Sequence, residues 1–216
     1  MTSTPAGNTT PDQAFEAIKR SLKKAVAAFE RAHIPYLLGG GLAAWARGGS
    51  ESYKDLDFMV RPEDAERALD ALVGEGMRPE RPAEQWLLKA WDGEVLVDVI
   101  HHPEGMEIDD AVMARGDQIN VFGVEVQVMA LEDVLATKLL ALGEHDLDYE
   151  SVVQIARSLR EQIDWEALRR RTEHSPYARA FFTLAEGLGL APVGNRGKGT
   201  GETDGSRPRA VRVRAA

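Results

Sequence analysis

In the segment Lys54-Asp-Leu-Asp-Phe-Met-Val60 two carboxylates alternate with large apolar side chains. Side chains on a strand alternate between its faces, so the pattern predicts a strand with Leu56 and Phe58 in a core and Asp55 and Asp57 side by side on the other face. Two like charges held that close repel each other. A divalent cation bridging them is the natural remedy. Hard oxygen ligands select Mg2+ or Mn2+, and Mg2+ commonly shares such a site with substrate phosphates.

The residues upstream fit the same chemistry. A short apolar run, Ile34 to Leu38, is broken by Gly39, Gly40 and Gly41, after which Leu42 to Arg47 reads as a small helix. Glycine lets backbone approach a ligand closely, and the helix start beyond it offers free N–H groups to an anion such as a nucleotide triphosphate. Lys54, next to the paired carboxylates, is a candidate cation for the same anion. A third carboxylate, Asp98, stands inside the apolar strand pattern Val95-Leu-Val-Asp-Val-Ile100. Burying it unpaired would be costly, and a metal or a cation would offset that cost. As an acceptor it also suits a general base that takes a proton from an attacking hydroxyl. Asp55, Asp57 and Asp98 are therefore the candidate metal ligands.

The rest of the chain divides into two kinds of pattern. Thr10, Pro11 and Gln13 form a capping-box start for an amphipathic helix from Pro11 to Ala32. Pro62 opens a helix to about Val73, and Gln85–Trp91 and Glu94–Ile100 read as strands joined by an Asp92-Gly93 turn. A short helix from Asp109 to Arg115 precedes two strands between Ile119 and Met129 that turn near Gly123. From Leu131 the periodicity becomes helical: Leu131–Leu142, Tyr149–Leu159, Trp165 to about Glu173, and Tyr177–Leu188. This organisation predicts a flexible N-terminus (1–10), a mixed α/β core (11–130), a helical region (131–190) and a disordered basic tail (191–216). The tail carries Arg196, Lys198, Arg207, Arg209, Arg212 and Arg214 among Gly, Pro and Thr, with few large apolar residues to offset the entropy of ordering it.

The ordered set of glycines, paired Asp and strand Asp resembles the DNA polymerase β-like nucleotidyltransferase superfamily. Leu38-Gly-Gly-Gly-Leu-Ala43 followed by Tyr53-Lys-Asp-Leu-Asp-Phe58 is similar to its minimal branch, which includes the toxin subunit of abortive-infection-type (type IV) toxin–antitoxin pairs. The later segment Leu131-Glu-Asp-Val-Leu-Ala-Thr-Lys138, with Gly143 and Asp146-Leu-Asp148, is similar to that branch's helical part, where a lysine and a downstream Asp face the active site. The resemblance spans roughly Ile34 to Leu159. It implies an α/β (α+β) fold, with a mixed sheet flanked by helices and a C-terminal helical region. It implies catalytic roles for Asp55, Asp57, Asp98 and Lys138, nucleotide contacts from Gly39, Gly40, Gly41 and Lys54, and Mg2+ or Mn2+ as cofactor. Two departures stand out: Gly41 is followed by Leu42, where superfamily members often have serine, and only Arg47 and Lys54 are cations close to the paired carboxylates.

The expected reaction moves a nucleoside monophosphate from an NTP to an acceptor hydroxyl. Three classes of acceptor or role compete. The toxin resemblance implies RNA or a protein side chain, with an antitoxin as partner. Antibiotic adenylyltransferases share a similar Gly-Gly and Asp-x-Asp arrangement and imply a small hydroxylated molecule. A degenerate member would only bind nucleotide or a partner. The net charge of −9 disfavours a chain whose main task is gripping long nucleic acid. The N-terminus lacks the apolar stretch of a signal peptide and no apolar run reaches the length of a membrane span, so a cytoplasmic protein is expected. Trp45, Trp86 and Trp91 suit either core packing or stacking on a base, and His101 and His102 either end a strand or reach the substrate.

Overall fold

The structure is a computed structural model that describes residues 10–50 and 54–194. The flexible N-terminus expected over 1–10 lies, but for Thr10, outside these residues, as does the tail from 195 onward.

Helix α1 (Pro11–Arg31) starts at the expected capping box, in which Thr10 accepts from the Gln13 amide while the Gln13 side chain accepts from the Thr10 amide. Strand β1 (Leu37–Leu38) leads through Gly39 into α2 (Gly40–Ala46). Strand β2 (Asp55–Met59) follows, then a 3-10 turn (Pro62–Asp64) and α3 (Ala65–Gly74). Strands β3 (Arg78–Glu80), β4 (Leu87–Asp92) and β5 (Val95–Ile100) form a meander. Helix α4 (Asp110–Met113), β6 (Asp117–Val121) and β7 (Val124–Val128) complete this part. Four helices end the described chain: α5 (Leu131–Leu140), α6 (Tyr149–Leu159), α7 (Trp165–Thr172) and α8 (Pro176–Gly187).

All seven strands form one mixed sheet in the order β3-β4-β5-β2-β1-β7-β6. The pairs β2–β5 and β1–β7 are parallel and the others antiparallel. Leu56 and Phe58 are fully buried. Phe58 meets Phe29 of α1 edge to face, with ring centroids 5.0 Å apart. This packing fixes the register of β2, since a one-residue slip would exchange the apolar and acidic faces. Burying side chains of this size stabilises the fold by roughly 1.5–3 kcal/mol each.

Two differences from the sequence reading have physical causes. The hairpin turns at Gly93-Glu94 rather than Asp92-Gly93, with Asp92 paired to Val95 and Gly93 at φ +66°. Asp92 is held in the strand by Ser21 and Lys24 of α1, which bond its carboxylate. Strand β3 went unread because Arg78, Pro79 and Glu80 carry no apolar alternation; it is an edge strand, where proline is tolerated.

Buried side chains form two apolar clusters, one around the sheet and one joining α5 to α8 with Ala44 of α2. Leu190 and Ala191 still belong to the second cluster, and Gly194 donates its amide to Glu186. A charged knot lies where α5 meets α4 and α7. Asp133, fully buried, accepts two bonds from Arg115 and one from Arg171. Asp133→Ala would strand two guanidiniums, but both are about a third exposed and partly solvated. The expected loss of stability is about 2–3 kcal/mol, below the usual cost of breaking a fully buried pair, and urea denaturation measures it.

Candidate active site

The parallel pairing of β2 with β5 sets Asp57 directly beside Asp98. Asp55 lies two residues back on the same face of β2. Ligand oxygens of Asp55, Asp57 and Asp98 all fall within 4.8 Å of one another, close enough for one cation to touch all three. The three residues expected from sequence to share a site are thus brought together.

The glycine turn closes on this cluster. The Gly39 amide donates to the Asp57 carbonyl at 2.8 Å, tying the start of α2 to β2. Gly40 has φ +57°, and a Cβ there would lie 1.7 Å from Asp57 Oδ2. A side chain is strained at this angle, and any Cβ here would collide with the carboxylate, so glycine is required. Gly41 follows inside α2.

The electrostatics are those of a site prepared for a cation. Burial, then the neighbouring charges of Asp55 and Asp98, push Asp57 up to about 7, against smaller opposing pulls from Lys138 and Lys89. Asp98 is pushed up to about 6, mainly by burial; Lys89 opposes the shift, while Asp55 and Glu80 add to it. Asp98 Oδ1 is buried with no hydrogen-bond partner. Its nearest ion-pair partner, Lys89 Nζ, stands 3.8 Å away. A buried orphan carboxylate oxygen inside a carboxylate cluster is the environment a hard divalent cation relieves, so the residues present fit Mg2+ or Mn2+.

Both raised carboxyls fix the direction of the pH response. In metal-free protein the folded state holds protons that the unfolded chain has released. Their stabilisation is complete below about pH 4 and is lost as pH rises to about 7. Metal competes with the same protons, so Mn2+ affinity should rise through pH 6 to 7 and level off above. Calorimetric titration across that range, and melting curves in EDTA, check the two trends.

A cleft of about 470 Å³ opens from Asp57 and Gly40. Met59, Ile100, Trp86 and His102 line its sheet side, and Thr137, Lys138 and Asp146 its helical side. Lys138 thus reaches the same cleft as Asp57 of the triad. A larger, more open hollow of about 580 Å³ between Trp165 and Pro192 includes none of these groups. Of the two cations near the paired carboxylates, Arg47 is spent on structure: it donates to the carbonyls of Met129 and Val128 and pairs with Asp117. Lys54 is exposed and is not among the cleft residues. Asp148 caps α6 by accepting from the Ser151 amide. His101 and His102 face each other, Nδ1 to Nδ1 at 2.6 Å, and His102 borders the cleft. The sequence reading did not pick out Lys89, which stands opposite Asp98 on β4, or Thr137 and Glu104 in the cleft wall.

Residues 13–186 match the model of a family described as "Uncharacterised nucleotidyltransferase". The chain belongs to this nucleotidyltransferase family. A comparison of this nucleotidyltransferase with curated proteins finds no match. Among solved structures it is similar to the crystal structure of ANT(2'')-Ia in complex with adenylyl-2''-tobramycin: TM-score 0.52, 18% identity, covering 77% of this chain and 97% of that one. The solution structure of the antibiotic-resistance factor ANT(2'')-Ia gives TM-score 0.52 at 20% identity, covering 79% and 94%. The lincomycin-bound lincosamide antibiotic adenylyltransferase LnuA gives TM-score 0.47 at 14% identity, covering 69% and 98%. At such identities the likeness is one of fold, and the mixed sheet flanked by helices is the fold shared with ANT(2'')-Ia. Among the described residues no helix is long and apolar enough to cross a membrane.

Proposed function

We propose that this chain transfers a nucleoside monophosphate from an NTP to an acceptor hydroxyl, and that Asp55, Asp57 and Asp98 hold the divalent cation the reaction needs. The observation that carries the reading is the convergence of these three carboxylates beneath a glycine turn that admits no side chain. When bound, the cation supplies charge neutralisation and polarisation of the reacting phosphate. Gly39, Gly40 and Gly41 bring backbone to the triphosphate. Lys138 and Lys54 are the side-chain cations assigned to it, Lys138 from the cleft wall. Asp98 takes the proton of the acceptor hydroxyl as that oxygen bonds to the α-phosphorus, the bond to the β-phosphate breaks, and pyrophosphate leaves.

For the acceptor, a small hydroxylated molecule is favoured over a macromolecule. ANT(2'')-Ia, similar in fold, has been solved with an adenylylated drug. RNA or protein as acceptor, with a toxin role and an antitoxin partner, rests on the sequence resemblance alone. A degenerate, binding-only role is disfavoured because such a protein would not need three converging carboxylates. The test is incubation with each α-labelled NTP and Mg2+, in separate arms with total RNA, with cell protein and with aminoglycosides. Label in a drug arm that disappears with Asp57→Asn supports the reading; label in RNA moves it to the toxin class. No label above the Asp57→Asn background in any arm overturns it.

A further inference from the structure

The four tryptophans of this chain have different fates. Trp45 packs on Phe122, with ring centroids 4.8 Å apart. Trp91 donates its indole N–H to Glu80 and lies beneath Arg78. Trp165 is buried and donates to the Arg160 carbonyl. Trp86 alone is exposed, at 43%, and it borders the cleft that holds Asp57, Gly40 and Lys138.

Its place is held by the backbone. The Trp86 carbonyl accepts from the amides of both His101 and His102, at 3.0 and 3.1 Å, which anchors it to the end of β5 three residues beyond Asp98. An exposed aromatic ring normally gains by packing away from water, so a ring left open on a cleft, on a backbone fixed in place, suits a planar ligand.

We infer that Trp86 is the platform on which the base of the nucleoside triphosphate stacks. The assignment rests on the nucleotidyltransferase reading above and goes beyond it by naming where the base sits. Charge decides between donor and acceptor as the occupant. The cleft that Trp86 borders is also lined by Lys138, by Gly40 of the glycine turn and by Asp57, through which it meets the carboxylate triad, and these are groups that hold a triphosphate. With the phosphates at that end, the apolar wall of Met59, Ile100 and Trp86 is left for the base. A volume of about 470 Å³ suits one nucleotide-sized molecule. Stacking tolerates any base because every base has a π-face, so Trp86 provides affinity with little choice among the four NTPs. His102 and Glu104, also in the cleft wall, are the polar groups within the same site for reading the base's edge.

The test compares the parent chain with Trp86→Ala, Trp86→Phe and Asp57→Asn, using Mg2+ with each of the four NTPs and, separately, inorganic triphosphate. Trp86 is exposed, so both of its variants should keep the parent melting temperature. In the parent, NTP should quench tryptophan fluorescence. Trp86→Ala should abolish most of that quenching and weaken NTP binding about 5- to 100-fold, while leaving the affinity for inorganic triphosphate within about two-fold. Trp86→Phe should restore most of the affinity. If Trp86→Ala binds NTP like the parent while Asp57→Asn does not, the base lies elsewhere and this assignment fails alone. If Trp86→Ala weakens NTP and inorganic triphosphate equally, the ring supports the site's shape and the assignment also fails. If the parent binds none of the four NTPs, the nucleotide reading itself falls and takes this assignment with it.

Discussion

Asp57→Asn should abolish transfer while leaving the fold more stable, not less, in metal-free protein at pH 8. Asparagine keeps the shape of the side chain and its place on β2 but removes a charge from the centre of the triad, between Asp55 and Asp98 in the strand register. Metal and the positioning it provides carry most of the catalysis in phosphoryl-type transfer, so the rate should fall by roughly three orders of magnitude or more. Stability moves the other way because the parent carboxyl, raised to about 7, is ionised at pH 8 against burial and two like charges. Below about pH 4, where Asp57 is protonated in the folded and the unfolded chain alike, parent and variant should melt together. Steady-state rates with labelled NTP and melting curves in EDTA at the two pH values check both halves. A variant that is destabilised at pH 8 would mean that the carboxylate serves the fold.

Gly40→Ala should lose both activity and stability. The methyl group would meet Asp57 Oδ2 at 1.7 Å, and the residue would have to hold φ +57°, where L side chains are strained. Relief requires the start of α2 to move away from β2, breaking the Gly39–Asp57 backbone bond, or Asp57 to turn out of the triad. The expected cost is about 1–3 kcal/mol of stability. A fall in kcat of at least about 100-fold should accompany it, since a displacement of about 1 Å at a reacting centre costs that much. Unlike Asp57→Asn, this variant should be less stable at every pH, which separates a steric cause from an electrostatic one.

The paired carboxylates were legible because strand alternation is a local rule. Leu56 and Phe58 fall in the core and Asp55 and Asp57 on the cleft side, as the spacing requires. The helices from Leu131 onward were legible from their 3.6-residue period. What depends on register between strands was not. Placing the hairpin at Asp92-Gly93 pairs Trp91 with Glu94 and, counting outward, puts Leu87 opposite Asp98. The actual turn, one residue later, puts Lys89 there. That single residue hid the cation nearest Asp98, and it shifted because α1, far away in sequence, holds Asp92 in the strand. Arg47 was similarly opaque: its partners are carbonyls of β7 and the residue after it, and an acid on β6, so its removal from the site is a tertiary fact. Nothing local told Trp86 from Trp45 or Trp91; only the packing of Phe122 and the reach of Glu80 separate them.

The central claim is that Asp55, Asp57 and Asp98 form one metal site. Crystals soaked in Mn2+ and measured near the manganese absorption edge test it most directly. The account predicts an anomalous peak between the three carboxylates at pH 8, absent from Asp57→Asn crystals under the same soak. No peak there at saturating Mn2+, or a peak at other residues while the triad stays empty, would contradict it.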